Sequence, residues 1–307
     1  MKNPKKTWTA LLLLAMAAAF GLQVTIQYSR DMKAAYARLD AHAPKTLATE
    51  FGTMSYIDEG EGEAILISHG IFGGYDQGIV NLRQVTGEGG RKLSISRFGY
   101  LGSALPEHPT PANQAKVFKA LLDELGIKKA YILATSAGGA AGFRFALDHP
   151  DQAHGLILLS SGMPVKIESA KEVGMTGPSK LLVNDFAMWF LTKYFKFALR
   201  ALFGSEVNEE LTNTLLPTNP RKQGIFADTE TSNADMLLHY DAYPVEKIKV
   251  PLLVIHAKDD PMTKYEHVEK FLARVDAKTA VFETGGHLIS GQGDGVSKAI
   301  ENFIKKE

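Results

Sequence analysis

The sequence contains no cysteine. That excludes disulfides, thiolate catalysis, cysteine-ligated zinc and a lipid-modified N-terminal cysteine, and it leaves the compartment open. There is no excess of charge of either sign: basic and acidic residues both number 34, for a formal net charge of zero. Without a basic field, a nucleic-acid partner is not expected. No internal repeat and no low-complexity tract interrupts the chain. What remains is 307 residues, 45% of them apolar. That is ample for a core, and allows one large α/β domain with an insertion or two small domains.

Charge is locally missing as well. Lys2, Lys5 and Lys6 are followed by residues 7–29, which carry none. The centre of that stretch, residues 11–20, is almost entirely Leu and Ala. A bilayer core takes about 20 apolar residues as a helix, and Trp8 and Ile26 bound a stretch of that length. Residues 1–28 therefore read as a signal anchor or a signal peptide. The preceding lysines favour leaving the N-terminus in the cytoplasm. Cleavage near Ala17 or Ala19 would leave a short apolar core before the cut and an apolar mature N-terminus. Retention is the favoured reading, with a membrane as partner and the remaining chain on the extracytoplasmic side. The alternative is a secreted or periplasmic protein after cleavage. Residues 29–45 are polar and charged and read as a helical tether.

From residue 46 strands and helices alternate. Phe51-Gly52 and Gly60-Glu61-Gly62 are turns, and residues 64–68 form a buried strand leading into His69-Gly70-Ile71-Phe72-Gly73-Gly74. Residues 93–96 form another strand, ending in Arg97-Phe98-Gly99-Tyr100-Leu101-Gly102-Ser103. Thr110-Pro111 starts a helix as N-cap and first-turn proline. Further strands are expected at 130–133, 155–159, 251–256 and 279–282, and a closing helix at about 296–305. Such alternation argues a parallel sheet covered on both faces. The rhythm breaks over residues 163–243, which read as an inserted helical lid between core segments 46–162 and 244–307. Its stretch 180–203 has a helical period and gathers Phe186, Trp189, Phe190, Phe197 and Phe203.

One stretch organises the rest. Ala134-Thr135-Ser136-Ala137-Gly138-Gly139 lies between an apolar strand and a helix of small residues. A serine on so tight a turn needs small neighbours, and the following helix points its first N–H groups back at it. Ser136 is thus the candidate nucleophile. Hydrolysis by a serine also needs a base, an orienting acid and oxyanion donors. His287, after the last strand on the lead Gly285-Gly286, is the candidate base. Lys258-Asp259-Asp260-Pro261, after the strand ending near His256, holds the candidate acid, whereas the strand ending at Ser160-Ser161 offers no carboxylate. Backbone N–H groups of Ala137 and Ile71 are the candidate oxyanion donors. Asp76-Gln77 either reaches the pocket or caps the next helix. Phe72, Trp189 and Phe190 are candidate substrate-lining residues, suited to an apolar small molecule.

At these residues the chain resembles the α/β-hydrolase superfamily, in its lid-bearing serine esterase, lipase and C–C hydrolase branch. The resemblance rests on His69-Gly70, the stretch 97–103, the stretch 134–139, Asp260 and Gly286-His287, and spans residues 46–307. It implies a twisted, mostly parallel eight-stranded sheet with helices on both faces, no metal and no organic cofactor. It also implies that Ser136 attacks, His287 shuttles the proton and Asp260, rather than Asp259, orients His287. Two departures stand out. Ala134 replaces the first glycine of Gly-x-Ser-x-Gly, and the loop 97–103 is longer than the usual Arg-Gly-x-Gly-x-Ser. Serine at the turn argues against the dehalogenase and epoxide-hydrolase branches. The expected activity is cleavage of a carboxylic ester or related acyl bond of a small apolar substrate. An amidase, a C–C hydrolase and a non-catalytic binding protein of the same fold are the alternatives.

Overall fold

The computed structural model describes residues 4–305 apart from 88, 174–175 and 204–208. The chain forms two compact units, Met1–Ala41 and His42–Glu307.

The first unit is a single helix, α1 (Pro4–Ala41). Its apolar side chains point outward: Trp8, Leu11, Leu12, Leu13, Leu14, Met16 and Phe20 are all more than half exposed. The stretch Leu11–Ala41 is long and apolar enough to cross a membrane. The polar residues after Ser29 continue the same helix rather than starting a separate segment, because Lys, Ala, Arg and Leu dominate there and favour helix.

The second unit is built on an eight-stranded sheet. Its strands are β1 (Lys45–Thr49), β2 (Gly52–Glu59), β3 (Ala64–Ser68), β4 (Arg91–Ile95), β5 (Ala130–Thr135), β6 (Ala153–Leu159), β7 (Leu252–Ala257) and β8 (Lys278–Phe282), in the order β1-β2-β4-β3-β5-β6-β7-β8. β1 and β2 run antiparallel to their neighbours, and β4, β3, β5, β6, β7 and β8 are parallel. Strand alternation divides each apolar run between two cores. Leu66, Ile132, Leu156, Leu158 and Val254 face one core, shared with α3 (Pro111–Glu124), α4 (Gly139–Asp148) and α10 (Tyr265–Leu272). Ile65, Ile67, Leu133, Ile157, Leu253 and Ile255 face the other, beneath α2 (Tyr75–Thr86) and α11 (Gly293–Ile304). Thr110 caps α3 as expected: its hydroxyl accepts from the Asn113 N–H, with Pro111 in the first turn.

Between β6 and β7 lie α5 (Asp185–Tyr194), α6 (Lys196–Phe203), α7 (Glu209–Asn213), α8 (Lys222–Ala227) and α9 (Asn233–Leu238). The expected helix 180–203 is broken at Phe195, whose backbone leaves the helical region, in a run dense in aromatic rings, which are weak helix formers. A π-helical turn, Asp228–Ser232, joins α8 to α9. Two ion pairs tie this inserted region to the sheet. Arg221 grips Asp76 of α2 through two bonds of 2.8 Å, with both side chains fully buried. Arg97 grips Asp228 through bonds of 2.5 and 2.6 Å, and the Tyr100 hydroxyl donates to the same carboxylate. Each pair is bidentate, so both oxygens of each carboxylate are met.

Removing one partner strands the other's charge in the interior. Arg221→Met is therefore expected to lower stability by about 3–5 kcal/mol. Chemical denaturation of the full-length protein in detergent measures it. A loss below about 1 kcal/mol would mean that solvent reaches Asp76 and that the inserted region is not held there.

Candidate active site

Ser136, Asp260 and His287 meet at the carboxyl edge of the parallel strands, where such sheets place their sites. Ser136 follows β5 directly and has φ +50, a left-handed conformation that costs a non-glycine residue about 1–3 kcal/mol. Neighbouring backbone crowds the turn and leaves no room for a side chain after Ala137. A Cβ on Gly138 would lie 2.0 Å from the Ser68 carbonyl oxygen. The methyl of Ala134 fits because Gly142 of α4 faces it, where a Cβ would come within 2.6 Å. The departure at Ala134 is thus accommodated by a glycine eight residues further on, in α4.

His287 lies between Ser136 and Asp260. Its Nε2 is 2.8 Å from the Ser136 Oγ and its Nδ1 is 2.8 Å from the Asp260 Oδ2. A carboxylate only accepts, so Nδ1 carries the proton and Nε2 is left to accept from the serine hydroxyl. Asp260 and His287 are both buried. The Asp260 Oδ1 accepts from the Met262 and Thr263 N–H groups at 2.8 and 3.0 Å, and the Thr263 hydroxyl donates to Oδ2. Burial works to raise the Asp260 carboxyl, but His287 and the Thr263 donors outweigh it and hold the group below the ordinary aspartate value. Asp259 is exposed, yet its carboxylate accepts from the Gly286 and Gly285 N–H groups at 2.8 and 3.3 Å. It braces the loop that presents His287.

The loop after β3 lies against the serine: a Cβ on Gly70 would sit 3.3 Å from the Ser136 Cβ. Ile71 follows Gly70 as Ala137 follows Ser136, so the two candidate oxyanion donors flank adjacent backbone. His69 pins this loop. Its Nδ1 bonds the Gly70 carbonyl at 2.8 Å, its Nε2 accepts from the Arg97 N–H at 3.0 Å, and the Arg97 Nε donates to the His69 carbonyl at 2.9 Å. Asp76 neither points into the site nor simply caps its helix. It accepts the Gln77 N–H and holds Arg221, which also donates to the Gly73 carbonyl. Phe72 and Ile71 join Val183, Met188, Leu215 and Ile225 in an apolar cluster between this loop and the inserted region. Trp189 and Phe190 sit instead in a group of rings with Phe186 and Tyr194. The Phe203 side chain falls outside the described residues.

Sequence reading missed Thr263, the bracing role of Asp259, and both buried arginine–aspartate pairs. Only Thr263 left a local signal, a hydroxyl three residues beyond Asp260 where an Asx-type turn closes.

His69 yields a pH dependence. Burial, and then the Arg97 charge, push its pKa well below the ordinary histidine value; burial lowers His256 too. Below about pH 6.5 the unfolded chain binds protons that the folded chain refuses. Unfolding then takes up protons, and stability falls with falling pH by about 1.4 kcal/mol per unit for each proton. Melting temperatures of the full-length protein are expected to drop between pH 7.5 and 5. A flat or rising profile would contradict a neutral, buried His69.

A sequence model for the alpha/beta hydrolase fold matches residues 63–294. The chain belongs to the α/β-hydrolase family. Among the relatives of this α/β hydrolase is a 2-hydroxy-6-oxo-6-phenylhexa-2,4-dienoate hydrolase of Burkholderia cepacia, 26% identical over 253 residues, covering 75% of this chain and 83% of that protein. Solved structures share the fold. The carboxylesterase CesB of Bacillus subtilis superposes with a TM-score of 0.67 at 16% identity, over 93% of this chain and 99% of that one. The structure of a membrane phospholipase A superposes with a TM-score of 0.64 at 16% identity, over 99% of both chains. The eight-stranded, mostly parallel sheet with helices on both faces is the expected architecture, and the N-terminal apolar helix precedes it.

Proposed function

We propose that this α/β hydrolase cleaves a carboxylic ester of an apolar substrate through an acyl-enzyme on Ser136. The single observation behind this reading is the continuous hydrogen-bond chain from the Ser136 Oγ through His287 to Asp260, with the serine on a left-handed turn. In this scheme His287 Nε2 takes the hydroxyl proton as the oxygen attacks the acyl carbon, and then passes it to the departing alcohol. The Ile71 and Ala137 N–H groups hold the negative oxygen of the tetrahedral intermediate. Asp260 keeps Nδ1 protonated and stabilises the imidazolium. Water then repeats the sequence on the acyl-enzyme.

The apolar cluster of Phe72, Met188, Leu215 and Ile225 beside Ile71 supports an apolar acyl group. Transfer of each methylene out of water is worth about 0.8 kcal/mol, or about fourfold in kcat/KM while the pocket has room. Medium-chain p-nitrophenyl esters are therefore expected to exceed the acetate. Ser136 should also be labelled by a fluorophosphonate. Absence of labelling would favour a binding protein of the same fold, and an inverted chain-length order would remove the apolar pocket.

A second reading, C–C bond cleavage, is favoured by the names of the curated relatives. Turnover of a 2-hydroxy-6-oxo-dienoate faster than any ester would establish it. We further propose that α1 is a retained anchor, with Lys2, Lys5 and Lys6 on the cytoplasmic side and the hydrolase unit beyond the membrane. Recovery of a soluble species starting near residue 18 or 20 would instead show cleavage.

A further inference from the structure

The inserted region presents an apolar surface that the proposed chemistry does not use. Leu181, Phe186, Phe195 and Phe197 are 82%, 48%, 40% and 69% exposed. The rings run together: Phe186 stacks on Phe190 at 5.9 Å, Phe190 meets Phe195 at 5.7 Å, and Phe195 meets Phe197 at 5.8 Å. A contiguous exposed apolar patch marks an interaction site, whereas scattered single residues do not. The platform beneath is held. α5 buries Met188 and Trp189, the Asn184 side chain caps it, and Asp185 accepts the N–H groups of Thr218 and Asn219. α6 buries Leu199 and turns Phe197 outward.

Charge identifies the partner. Residues 179–203 contain Lys180, Lys193, Lys196 and Arg200 against one carboxylate, Asp185, which is buried. Lys193 and Arg200 are exposed on the same two helices as the rings, whereas Lys196 pairs with Glu209 at 3.5 Å. Phenylalanine and leucine ringed by lysine and arginine is the composition of a segment that lies in the headgroup layer of an anionic bilayer. The chain also carries its own bilayer-crossing candidate: the second unit begins at His42, directly after α1.

We propose that Phe186, Phe195 and Phe197 insert into the headgroup layer of an anionic membrane, with Lys193 and Arg200 on lipid phosphates. This seat is independent of the reading of Ser136.

The absence of cysteine makes a site-specific test simple. Full-length protein carrying Phe197→Cys, or Lys128→Cys as an exposed control, is labelled with an environment-sensitive NBD probe. It is then reconstituted into phosphatidylcholine/phosphatidylglycerol vesicles. The probe at 197 should shift to the blue and be quenched by shallow doxyl-labelled lipid, while the probe at 128 remains water-like and unquenched. Exchanging Lys193 and Arg200 together for Gln should at least halve the quenching at 197. A water-like, unquenched probe at 197 overturns the proposal. A blue shift without lipid quenching also overturns it, and assigns the patch to a protein partner or a second copy. Equal quenching in pure phosphatidylcholine overturns the anionic preference.

Discussion

Ser136→Ala is expected to lower kcat by roughly four to six orders of magnitude while the protein still folds cooperatively. The substitution removes one oxygen. The alanine methyl occupies the same turn, which follows directly on the ladder bonds of β5 with β3 and β6 and has Gly138 packed close against Ser68. Stability is therefore expected to change by less than about 1 kcal/mol, because only the hydroxyl's bond to His287 is lost. The chemistry has no substitute. The Thr135 hydroxyl points to the Ser68 carbonyl at 3.4 Å, and the Ser161 hydroxyl donates to the Ala134 carbonyl at 2.8 Å. Neither is placed to receive base catalysis from His287. Single-turnover measurements with a p-nitrophenyl ester, alongside a melting curve, separate the two quantities. Retention of more than about a tenth of the wild-type rate would remove Ser136 from the proposed mechanism.

The same residues show how much could be read in advance. Strand positions were legible because apolar runs of five to seven residues between turn residues have few other uses in a chain of this length. Ser136, Asp260 and His287 were legible because each falls just after such a run, and a parallel sheet brings those ends to one edge. The arginine–aspartate pairs were not. Arg221 and Asp76 are 145 residues apart, and Arg97 and Asp228 are 131 apart. Nothing in the local pattern of a charged residue tells which distant partner will share its burial. The break at Phe195 was hidden for a different reason: the helical period of residues 180–203 continues through it, and only backbone geometry shows α5 ending there. That break carries Phe195 and Phe197 outward, so a stretch first read as a pocket lining also supplies an exposed face.

The second large effect distinguishes two neighbouring carboxylates. Asp260→Asn is expected to cost about four orders of magnitude in kcat, and Asp259→Asn about tenfold or less. Asp260 is surrounded by donors: the Met262 and Thr263 N–H groups at Oδ1, and the Thr263 hydroxyl and His287 Nδ1–H at Oδ2. An asparagine amide has one accepting end. If that end keeps the backbone N–H groups, its NH2 faces His287, which must present an unprotonated Nδ1 and therefore a protonated Nε2. An imidazole in that tautomer cannot take the Ser136 proton. If the amide flips to serve His287, its NH2 meets two backbone donors in a buried site, at a cost of about 1–3 kcal/mol for each unmatched group. Either orientation disables the base or destabilises the loop beneath it. Asp259 faces a milder choice, because asparagine retains the 2.8 Å bond from Gly286 and surrenders only the 3.3 Å bond from Gly285, on an exposed side chain. The glycines it braces have φ +143 and +61, so the loop's shape is also set by its own backbone. Comparing kcat for the two variants on one ester decides the matter. A larger loss for Asp259→Asn would mean that bracing of the His287 loop, and not the charge behind the imidazole, limits the reaction.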